Sequence, residues 1–424
     1  MDQSVVIVGG GFGGVGCAHV LAHHGVEVTL LDKNDYHQFQ PLLYQLATAQ
    51  IGLPDLARPL RGIFAKSDSV RVVTGEVTAI DPTAHTVELA DGTGFSGDAL
   101  VLAAGAQPNF FGVPGAAEHA FPLYSVEDAE RVRSRLLGAL DAVDSEPELV
   151  DRGGLTIVIV GAGPTGVETA GAFAETIRDI VPGAYENLPV EKARIVLVDH
   201  SDVVLGAFSE RAQHYAAERL EADGVELRLG VGVSEVANGH VVLSDGSTIT
   251  TRTVIWAGGE KACDLVGRSG LPTGRGGRVD VEADLGVAGF PGVYVVGDAA
   301  NVPGPDGDTL PQLGSVALQS GRWAAQNILA VAAGEPSKPF DYHDKGIMAM
   351  IGRNAAVAEL GTKRHEIDGP FAYAAWLGVH ASLLEGTRQK LSALMTWGWD
   401  YASKRRPRAL ADRPDASVID WDDD

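Results

Sequence analysis

Short apolar runs recur along the chain, each followed by a glycine-rich turn or by a stretch with helical periodicity. Residues 5–8, 26–31, 155–160 and 194–198 consist mainly of Val, Ile and Leu. Strands that are buried on both faces of a parallel sheet show such runs, whereas strands with one solvent-exposed face alternate apolar and polar residues. Because helical stretches separate the runs, the pattern predicts an α/β fold with parallel sheets.

The first of these units carries a dinucleotide-binding pattern. Its strand leads into the loop GGGFGG at residues 9–14, a helix is predicted at 15–24, and an acid closes the next strand 18 residues after the loop. The glycines allow a tight turn, close approach to a pyrophosphate and close helix–strand packing, and the helix N-terminus offers free N–H groups. The predicted cofactor-binding residues here are Gly9, Gly11, Phe12, Gly13, Gly14, Asp32 and Lys33. The alternatives are a unit that binds nothing and, for Lys33, a solvated loop position.

The same unit recurs near residue 156. The loop GAGPTG at 161–166 precedes a helix predicted at 167–179, and Asp199 closes the strand at 194–198. The acid follows the loop by 33 residues, more than the usual spacing of about 20. No Arg adjoins Asp199 to accept a 2′-phosphate, so NADH is predicted rather than NADPH. The predicted cofactor-binding residues are Gly161, Gly163, Pro164, Thr165, Gly166 and Asp199.

Three further strands end in glycine turns. They are DALVLAAG at 98–105, TVIWAGG at 253–259 and GVYVVGDAA at 292–300. Ligands of open α/β sheets bind at the carboxyl ends of strands, and an acid such as Asp298 suits the hydroxyls of FAD. Two nucleotide units in one chain therefore predict two nucleotides.

Composition narrows the class of protein. A length of 424 residues predicts two to three domains, and a net charge of −23 argues against nucleic-acid binding. Cys17 and Cys263 form no CxxC pair, and the His residues show no ligand spacing, so neither disulfide chemistry nor a metal is predicted. The N-terminus leaves no room for a signal peptide, and no apolar segment reaches spanning length, which predicts a protein that starts in the cytoplasm.

Three stretches resemble one family of flavoproteins. HQFQPLLYQ at 37–45, GPTGVE at 163–168 and KGIMAMIGRN at 345–354 resemble the type II NADH:quinone oxidoreductases, single-subunit respiratory dehydrogenases that pump no protons, and the resemblance spans residues 4–408. It implies two Rossmann-like domains, FAD in the first, and NADH in a second domain inserted within it. It also implies hydride transfer from NADH to FAD and two electrons passed to a quinone.

The resemblance assigns further residues to the site. Glu168 is placed near the nicotinamide and flavin, and Gln319 by the quinone headgroup. The other residues assigned to the cofactors are Gln40, Val77, Ala104, Gly105, Gly258, Gly297, Asp298 and Ala317. Only the second Gln of the family's quinone motif is present in GSVALQ at 314–319. Glu168 as a surface or interface carboxylate, and Gln319 as an ordinary packed helix residue, are the alternatives.

These assignments divide the chain into four parts. We predict the FAD-binding domain at 1–115 and 276–335, the NADH-binding domain at 116–275, and a C-terminal segment at 336–424. A soluble NADH-dependent flavin reductase, serving a ferredoxin-like protein or a small molecule, is the alternative function. A nucleotide-bound sensor without turnover is a third.

The C-terminal segment is predicted to dock on a membrane through residues 371–408. Residues 386–408 hold six basic side chains against one acid, interleaved with Leu, Met, Trp and Tyr, a composition that suits an anionic lipid surface. The tail at 409–424 is acidic, and is expected either to cover the basic segment or to trail in solvent. This predicts a protein at the inner face of the cell membrane. Packing of the segment on its own protein, or on the second subunit of a homodimer, is the alternative.

Overall fold

The computed structural model describes residues 3–305, 307–403 and 410–422, and the chain forms two compact units. The first unit contains Met1–Gln38, Ala57–Gln107 and Glu260–Asp344, and the second contains Phe39–Leu56, Pro108–Gly259 and Lys345–Asp424. Both units are built from segments distant in sequence. The two units are defined by how densely their residues contact one another. The four parts predicted from the sequence are defined by the cofactor motifs, and they stay predictions.

The strands and helices alternate through most of the chain. In chain order the strands are β1 (Ser4–Val8), β2 (Glu27–Asp32), β3 (Tyr36–Gln38), β4 (Ala57–Pro59), β5 (Val70–Thr74), β6 (Val77–Asp81), β7 (Thr86–Leu89), β8 (Gly94–Ser96), β9 (Ala99–Leu102), β10 (Ala106–Pro108), β11 (Phe121–Pro122), β12 (Thr156–Val160), β13 (Arg194–Asp199), β14 (Val225–Leu229), β15 (Val233–Ala237), β16 (His240–Leu243), β17 (Thr248–Thr250), β18 (Thr253–Trp256), β19 (Glu260–Ala262), β20 (Val279–Asp280), β21 (Gly286–Val287), β22 (Phe290–Val295), β23 (Ala300–Asn301), β24 (Gly346–Gly352), β25 (Ala355–Leu360) and β26 (His365–Asp368). The α-helices are α1 (Phe12–His23), α2 (Leu43–Ala47), α3 (Leu53–Leu56), α4 (Leu60–Ile63), α5 (Ala116–His119), α6 (Val126–Ser145), α7 (Pro164–Glu175), α8 (Glu210–Ala222), α9 (Asp264–Gly267), α10 (Gly314–Ala332), α11 (Gly369–Leu383), α12 (Thr387–Ser403) and α13 (Pro414–Ser417).

The first unit is built on a six-stranded sheet in the order β21-β22-β9-β1-β2-β5. All of its pairings are parallel except β21 with β22, and β1 runs between β2 and β9 with Val5 opposite Val28 and Ala99. The strands are apolar because both faces are covered, and the side chains of Val5, Ile7 and Leu100 are at most 1% exposed. The predicted strands and parallel order of this unit are confirmed.

The second unit contains a five-stranded parallel sheet in the order β11-β18-β12-β13-β14. It places β12 between β13 and β18, as β1 lies between β2 and β9 in the first unit. Two antiparallel three-stranded sheets, β15-β16-β17 and β24-β25-β26, belong to the same unit. The repeat recognised in the sequence is therefore a repeat of the fold.

Helices α11 and α12 follow the last sheet of the second unit. Within the described ranges no helix has the length and apolarity needed to cross a membrane. Large apolar side chains of both helices are nevertheless exposed, among them Phe371 at 83% and Met395 at 75%. Lys404, Arg405, Arg406 and Arg408, four of the six basic residues predicted to dock, lie outside the described residues.

The acidic tail packs on its own unit, and the expectation that it trails in solvent is wrong. The Arg133 guanidinium pairs with Asp412 at 2.5 Å, and Arg413 with Glu130 at 2.7 Å, which fastens the tail to α6. Farther along, Arg252 donates to the Asp420 carbonyl oxygen at 3.0 Å. The contacts of residues 410–422 thus lead to α6 and Arg252. Ion pairs with α6 hold the tail in place although its acidic side chains stay exposed.

Candidate active site

The first glycine loop turns back sharply at the end of β1. Gly9 has φ = +109°, and its N–H donates to the Leu31 carbonyl oxygen at 2.7 Å. A Cβ on Gly9 would overlap the Ala103 carbonyl oxygen, and a Cβ on Gly14 would overlap that of Gly9. A Cβ on Gly11 would meet no atom within 4 Å. Open space therefore lies at the N-terminus of α1, where a pyrophosphate fits.

The second loop repeats this geometry. Gly161 has φ = +104°, and its N–H donates to the Val198 carbonyl oxygen at 2.8 Å. A Cβ on Gly166 would overlap the Gly161 carbonyl oxygen, whereas a Cβ on Gly163 would meet nothing within 4 Å. Pro164 opens α7, a position at which its missing N–H costs no hydrogen bond. Both loops thus offer the same backbone cradle.

Asp32 closes β2 beside the first loop. Its carboxylate accepts hydrogen bonds from the Gly10 N–H at 2.6 Å and the Asn34 N–H at 2.7 Å. Burial raises the pKa of Asp32, while these N–H groups and the charge of Lys33 act to lower it. Each carboxylate oxygen keeps a second lone pair for a ribose hydroxyl. Asp32 therefore both fixes the loop and presents an acceptor to a nucleotide.

Asp199 holds the same place beside the second loop. It accepts from the Ala162 N–H at 2.5 Å, and the exposed His200 ring nitrogen lies 3.1 Å from its other oxygen. Arg228 is on the neighbouring strand β14, but its guanidinium bonds Asp245 at 3.3 Å. The described surroundings of Asp199 thus direct no guanidinium to a 2′-phosphate.

The strand β22 delivers Asp298 to its carboxyl end, as the sequence predicts. Gly297 has φ = +65°, and its N–H donates to the Ser320 hydroxyl at 3.1 Å. Burial raises the pKa of Asp298 to about 6, against the opposing charge of Arg278. Its Oδ1 is buried and has no hydrogen-bond partner among the described residues. An unsatisfied buried carboxylate oxygen fits a polyhydroxyl ligand such as the ribityl chain of FAD.

Glu260 belongs to the same cluster and was missed by the sequence reasoning. Burial and the charge of Asp298 raise the pKa of Glu260 to about 8, while Arg278 lowers it. The residue begins β19, which pairs with β10. Glu260 is the residue directly after TVIWAGG. The sequence pattern predicted the glycine turn, but it did not predict that the next carboxylate interacts with Asp298.

The other predicted residues of the first unit lie around its loop. A Cβ on Gly9 would lie 3.2 Å from the Ala104 nitrogen, and one on Gly13 would lie 3.3 Å from the Ala317 carbonyl oxygen. Gly105 has φ = +67°, Phe12 packs edge-on against His37 at 5.2 Å, and Lys33 is exposed. Val77 is buried in the hydrophobic core. The first unit therefore gathers Ala104, Gly297 and Ala317 around the glycine loop.

In the second unit the predicted residues are more dispersed. A Cβ on Gly161 would lie 2.7 Å from the Gly258 Cα, so the structure brings Gly258 to the loop. Thr165 is exposed, with its carbonyl oxygen accepting from the Thr169 hydroxyl at 2.6 Å. Gln40 opens a 3₁₀ turn at Gln40–Leu42.

Glu168 lies in the first turns of α7 and is buried. Its position on the helix does not by itself predict this burial. The residue is 8% exposed, and its Oε1 accepts from the Met350 N–H at 3.0 Å. Burial raises the pKa of Glu168 to about 8, although the Met350 N–H and the Trp376 indole favour the charged form. The surface-carboxylate alternative is thereby removed, and Glu168 carries a proton at neutral pH.

Glu168 borders a cavity of about 30 Å³ within the second unit. Tyr44 lies in the same cavity, and its hydroxyl accepts from the Gln45 amide at 3.0 Å. Gln45 in turn accepts from the Trp397 indole N–H at 2.7 Å, so α12 is hydrogen-bonded to α2. Tyr44 and Gln45 fall in the stretch at 37–45 that carried the resemblance, although nothing in it marked them as hydrogen-bonding partners.

Arg353 anchors the far side of this cavity. Its guanidinium bonds Glu175 at 2.5 Å and lies 3.5 Å from Asp400, and it donates to the Tyr401 carbonyl oxygen at 2.9 Å. Arg353 thus ties α7 to α12. These partners are separated by 178 and 47 residues in sequence, so no local pattern predicts them.

The side-chain amide of Gln319 is hydrogen-bonded to the backbone of His343. Its amide nitrogen donates to the His343 carbonyl oxygen at 3.1 Å, and its amide oxygen accepts from the His343 N–H at 3.1 Å. This pairing fixes the side chain on α10. Its contact with a quinone stays a prediction.

Comparison with known proteins decides the family. The profile of the pyridine nucleotide-disulphide oxidoreductases matches residues 3–321. The chain is 38% identical to the type II NADH:quinone oxidoreductase NdhA of Mycobacterium tuberculosis over 95% of its own length and 88% of that protein. This chain belongs to the type II NADH:quinone oxidoreductase family. The enzyme of that name from Staphylococcus saprophyticus is 30% identical over 84% of this chain and 89% of its own.

Solved structures share the fold. The structure of NDH2 from Plasmodium falciparum in complex with NADH superposes with a TM-score of 0.87 at 18% identity, covering 96% of this chain and 100% of that one. The sulfide:quinone oxidoreductase of Aquifex aeolicus gives 0.74 at 17% identity, covering 95% and 96%. The predicted fold of two Rossmann-like domains is confirmed for this type II chain.

The two cysteines of this family member are free thiols. Cys17 lies on α1 and is buried, which strongly raises the pKa of its thiol, and Cys263 is partly buried. The disulphide that the broader family's description names therefore has no counterpart in this chain.

Proposed function

We propose that this chain transfers a hydride from NADH to FAD and passes two electrons on to a quinone. The observation that carries this function is the pair of matching glycine loops, each with open space at its middle glycine and an acid closing the next strand. Membership in the type II NADH:quinone oxidoreductase family supports the quinone as acceptor. When bound, FAD supplies the two-electron chemistry, and the protein positions it and sets the charge around it.

In the first unit, FAD would be held by backbone and carboxylate groups. The loop at 9–14 and the N-terminus of α1 bind the pyrophosphate, Asp32 accepts from the ribose, and the unsatisfied Oδ1 of Asp298 accepts from the ribityl chain. The other residues proposed to bind the cofactors are Phe12, Lys33, Val77, Ala104, Gly105, Gly297 and Ala317 of the first unit and Gln40 of the second.

In the second unit, NADH would bind at the loop at 161–166. Asp199 accepts from the adenosine ribose and repels a 2′-phosphate, and the engagement of Arg228 with Asp245 supports this preference. Gly258 borders the loop. The domain assignment predicted from the sequence, with NADH bound at 116–275, is part of this proposal.

Glu168 of the second unit is proposed as a proton donor, and Gln319 of the first unit as a hydrogen-bonding group for a quinone headgroup. Glu168 is protonated at neutral pH because burial disfavours its charge. Gln319 presents an amide whose orientation is already fixed by His343, so it would meet a quinone without losing further side-chain freedom. The steady-state test is reduction of a short-chain quinone by the FAD-loaded protein with NADH, compared with NADPH.

The exposed apolar face of α11 and α12 would dock on an anionic membrane. Phe371, Met395 and Trp399 are 83%, 75% and 61% exposed, and the sequence adds the basic residues of 388–408 beside them. Apolar insertion plus about 1 kcal/mol per basic residue gives peripheral attachment.

Sedimentation with phosphatidylglycerol vesicles tests this docking. We expect binding at low salt and release at high salt, with Met395→Asp weakening it and the exposed Glu366→Gln leaving it unchanged. A second copy of the chain on the same face would instead give a dimer and no vesicle binding. That result would contradict membrane docking at the inner face.

A further inference from the structure

The cavity beside Glu168 connects it to charged groups of α12. Its lining includes Tyr44, Glu168, Glu175, Arg353, Tyr373 and Asp400, all within the second unit. A buried water needs roughly 10–15 Å³ of such space and two to four polar partners, so a cavity of about 30 Å³ with this lining has room for about two water molecules.

Exposure rises from Glu168 toward Asp400. The side chains of Glu175, Arg353 and Asp400 are 7%, 15% and 17% exposed, and Tyr401 next to Asp400 is 50% exposed. Solvent therefore reaches this network at the end of α12. Arg353 bonds both Glu175 and Asp400 and holds the two carboxylates in place.

Tyr44 lines the same cavity as Glu168. Burial raises its pKa well above the usual range, and the charge of Glu168 contributes to the same direction. Because its hydroxyl oxygen accepts from Gln45, its own proton is available to an acceptor in the cavity. Trp397 on α12 fixes Gln45, so α12 sets the position of this hydroxyl as well.

The proposed function, on which this inference rests, consumes one proton from solvent per turnover. NADH, one H⁺ and a quinone give NAD⁺ and a quinol: the hydride carries two electrons and one hydrogen, and solvent supplies the second hydrogen. We propose that this proton reaches Glu168 through the cavity from the side of α12, with Asp400 taking it up from solvent and Tyr44 passing it on.

The groups that line the cavity with Glu168 support this direction. They are Tyr44 of α2, Glu175 of α7, Arg353 of the β24–β25 turn, Tyr373 of α11 and Asp400 of α12. His380 stacks on Trp376 at 3.8 Å, and burial lowers the pKa of His380 to about 4, so it stays neutral and does not compete for the proton. Burial raises the pKa of Tyr373 to about 12, so Tyr373 keeps its proton at neutral pH. Of the two carboxylates beside Arg353, Asp400 is more exposed than Glu175, at 17% against 7%.

Two acceptors separate proton delivery from electron transfer. A quinone takes two electrons and two protons, whereas ferricyanide takes one electron and no proton. In the FAD-loaded protein, Asp400→Asn and Tyr44→Phe should each lower the ratio of quinone to ferricyanide turnover at least about tenfold and enlarge the solvent isotope effect on quinone reduction. Asp400→Glu should restore the ratio, and the exposed Glu366→Gln should leave it at the wild-type value.

The outcomes are distinguishable. Asp400→Asn could disturb the contacts of Arg353 and so change the structure. Tyr44→Phe keeps the aromatic ring and its packing, so it tests the proton route without that complication. A quinone-to-ferricyanide ratio and isotope effect unchanged in both variants would overturn the proton route alone. A wild-type protein that reduces ferricyanide but no quinone would instead contradict the proposed function.

Discussion

The two glycine loops share one backbone design but differ in what covers them. In the first loop Gly13 is buried against α10, whereas the corresponding position of the second loop, Thr165, is exposed. Asp32 and Asp199 are each partly buried beside their loops. The first loop is thus more enclosed by protein at Gly13 than the second is at Thr165. This fits FAD as a retained cofactor and NADH as an exchanging substrate.

Blocking the first loop should give the largest effect. A side chain at position 11 meets open space in the protein itself, so Gly11→Val should fold and lose FAD, because the valine occupies the place of the pyrophosphate. Flavin absorbance of the purified protein measures the loss, and circular dichroism checks the fold. Full FAD content in this variant would remove the first loop from the cofactor site.

The matched change in the second loop should separate the two ligands. Gly163→Val also meets open space, and we expect full FAD content with a KM for NADH raised about a hundredfold, as a lost phosphate site of about 3 kcal/mol implies. Steady-state kinetics with ferricyanide measure it. Loss of FAD in this variant would mean that the two loops do not bind separate nucleotides.

Glu168→Gln should slow quinone turnover at least about tenfold without changing FAD content. The same variant should also alter the pH dependence of stability. Burial raises the pKa of Glu168 from 4.5 to about 8, so the folded state keeps a proton that the unfolded chain releases. The free energy of unfolding of the wild type therefore falls as pH rises from about 4.5 to 8, by up to about 5 kcal/mol. Glu168→Gln removes this term, so the gap in Tm between the variant and the wild type should widen with pH. A constant gap would place Glu168 in contact with water.

The smallest effect is expected at the acid of the second loop. Asp199→Ala should reduce the preference for NADH over NADPH about tenfold, the equivalent of roughly 1.4 kcal/mol, because the ribose acceptor and the charge repelling a 2′-phosphate are both lost. Asp199→Asn, which keeps a hydrogen-bond acceptor, separates the two contributions. Equal use of both nucleotides by the wild type would contradict this role of Asp199.

The sequence predicted those parts of the fold that depend on residues close together in the chain. The strand, loop and helix of each nucleotide unit were visible because the positive φ of Gly9 and the contact of Gly14 with Gly9 are requirements of the loop itself. Arg353, Glu175 and Asp400 were not visible, since their pairing depends on how distant helices pack. The tail shows the same limit, because the pairing of Asp412 with Arg133, 279 residues away, is not visible in the sequence.

The central claim is tested most directly by mixing the FAD-loaded protein with NADH and then with a short-chain quinone in the absence of oxygen. Flavin absorbance reports each half-reaction separately. We expect NADH to bleach the flavin within the turnover time and the quinone to restore its absorbance. A flavin that NADH does not bleach, or that the quinone does not reoxidise, would contradict the account.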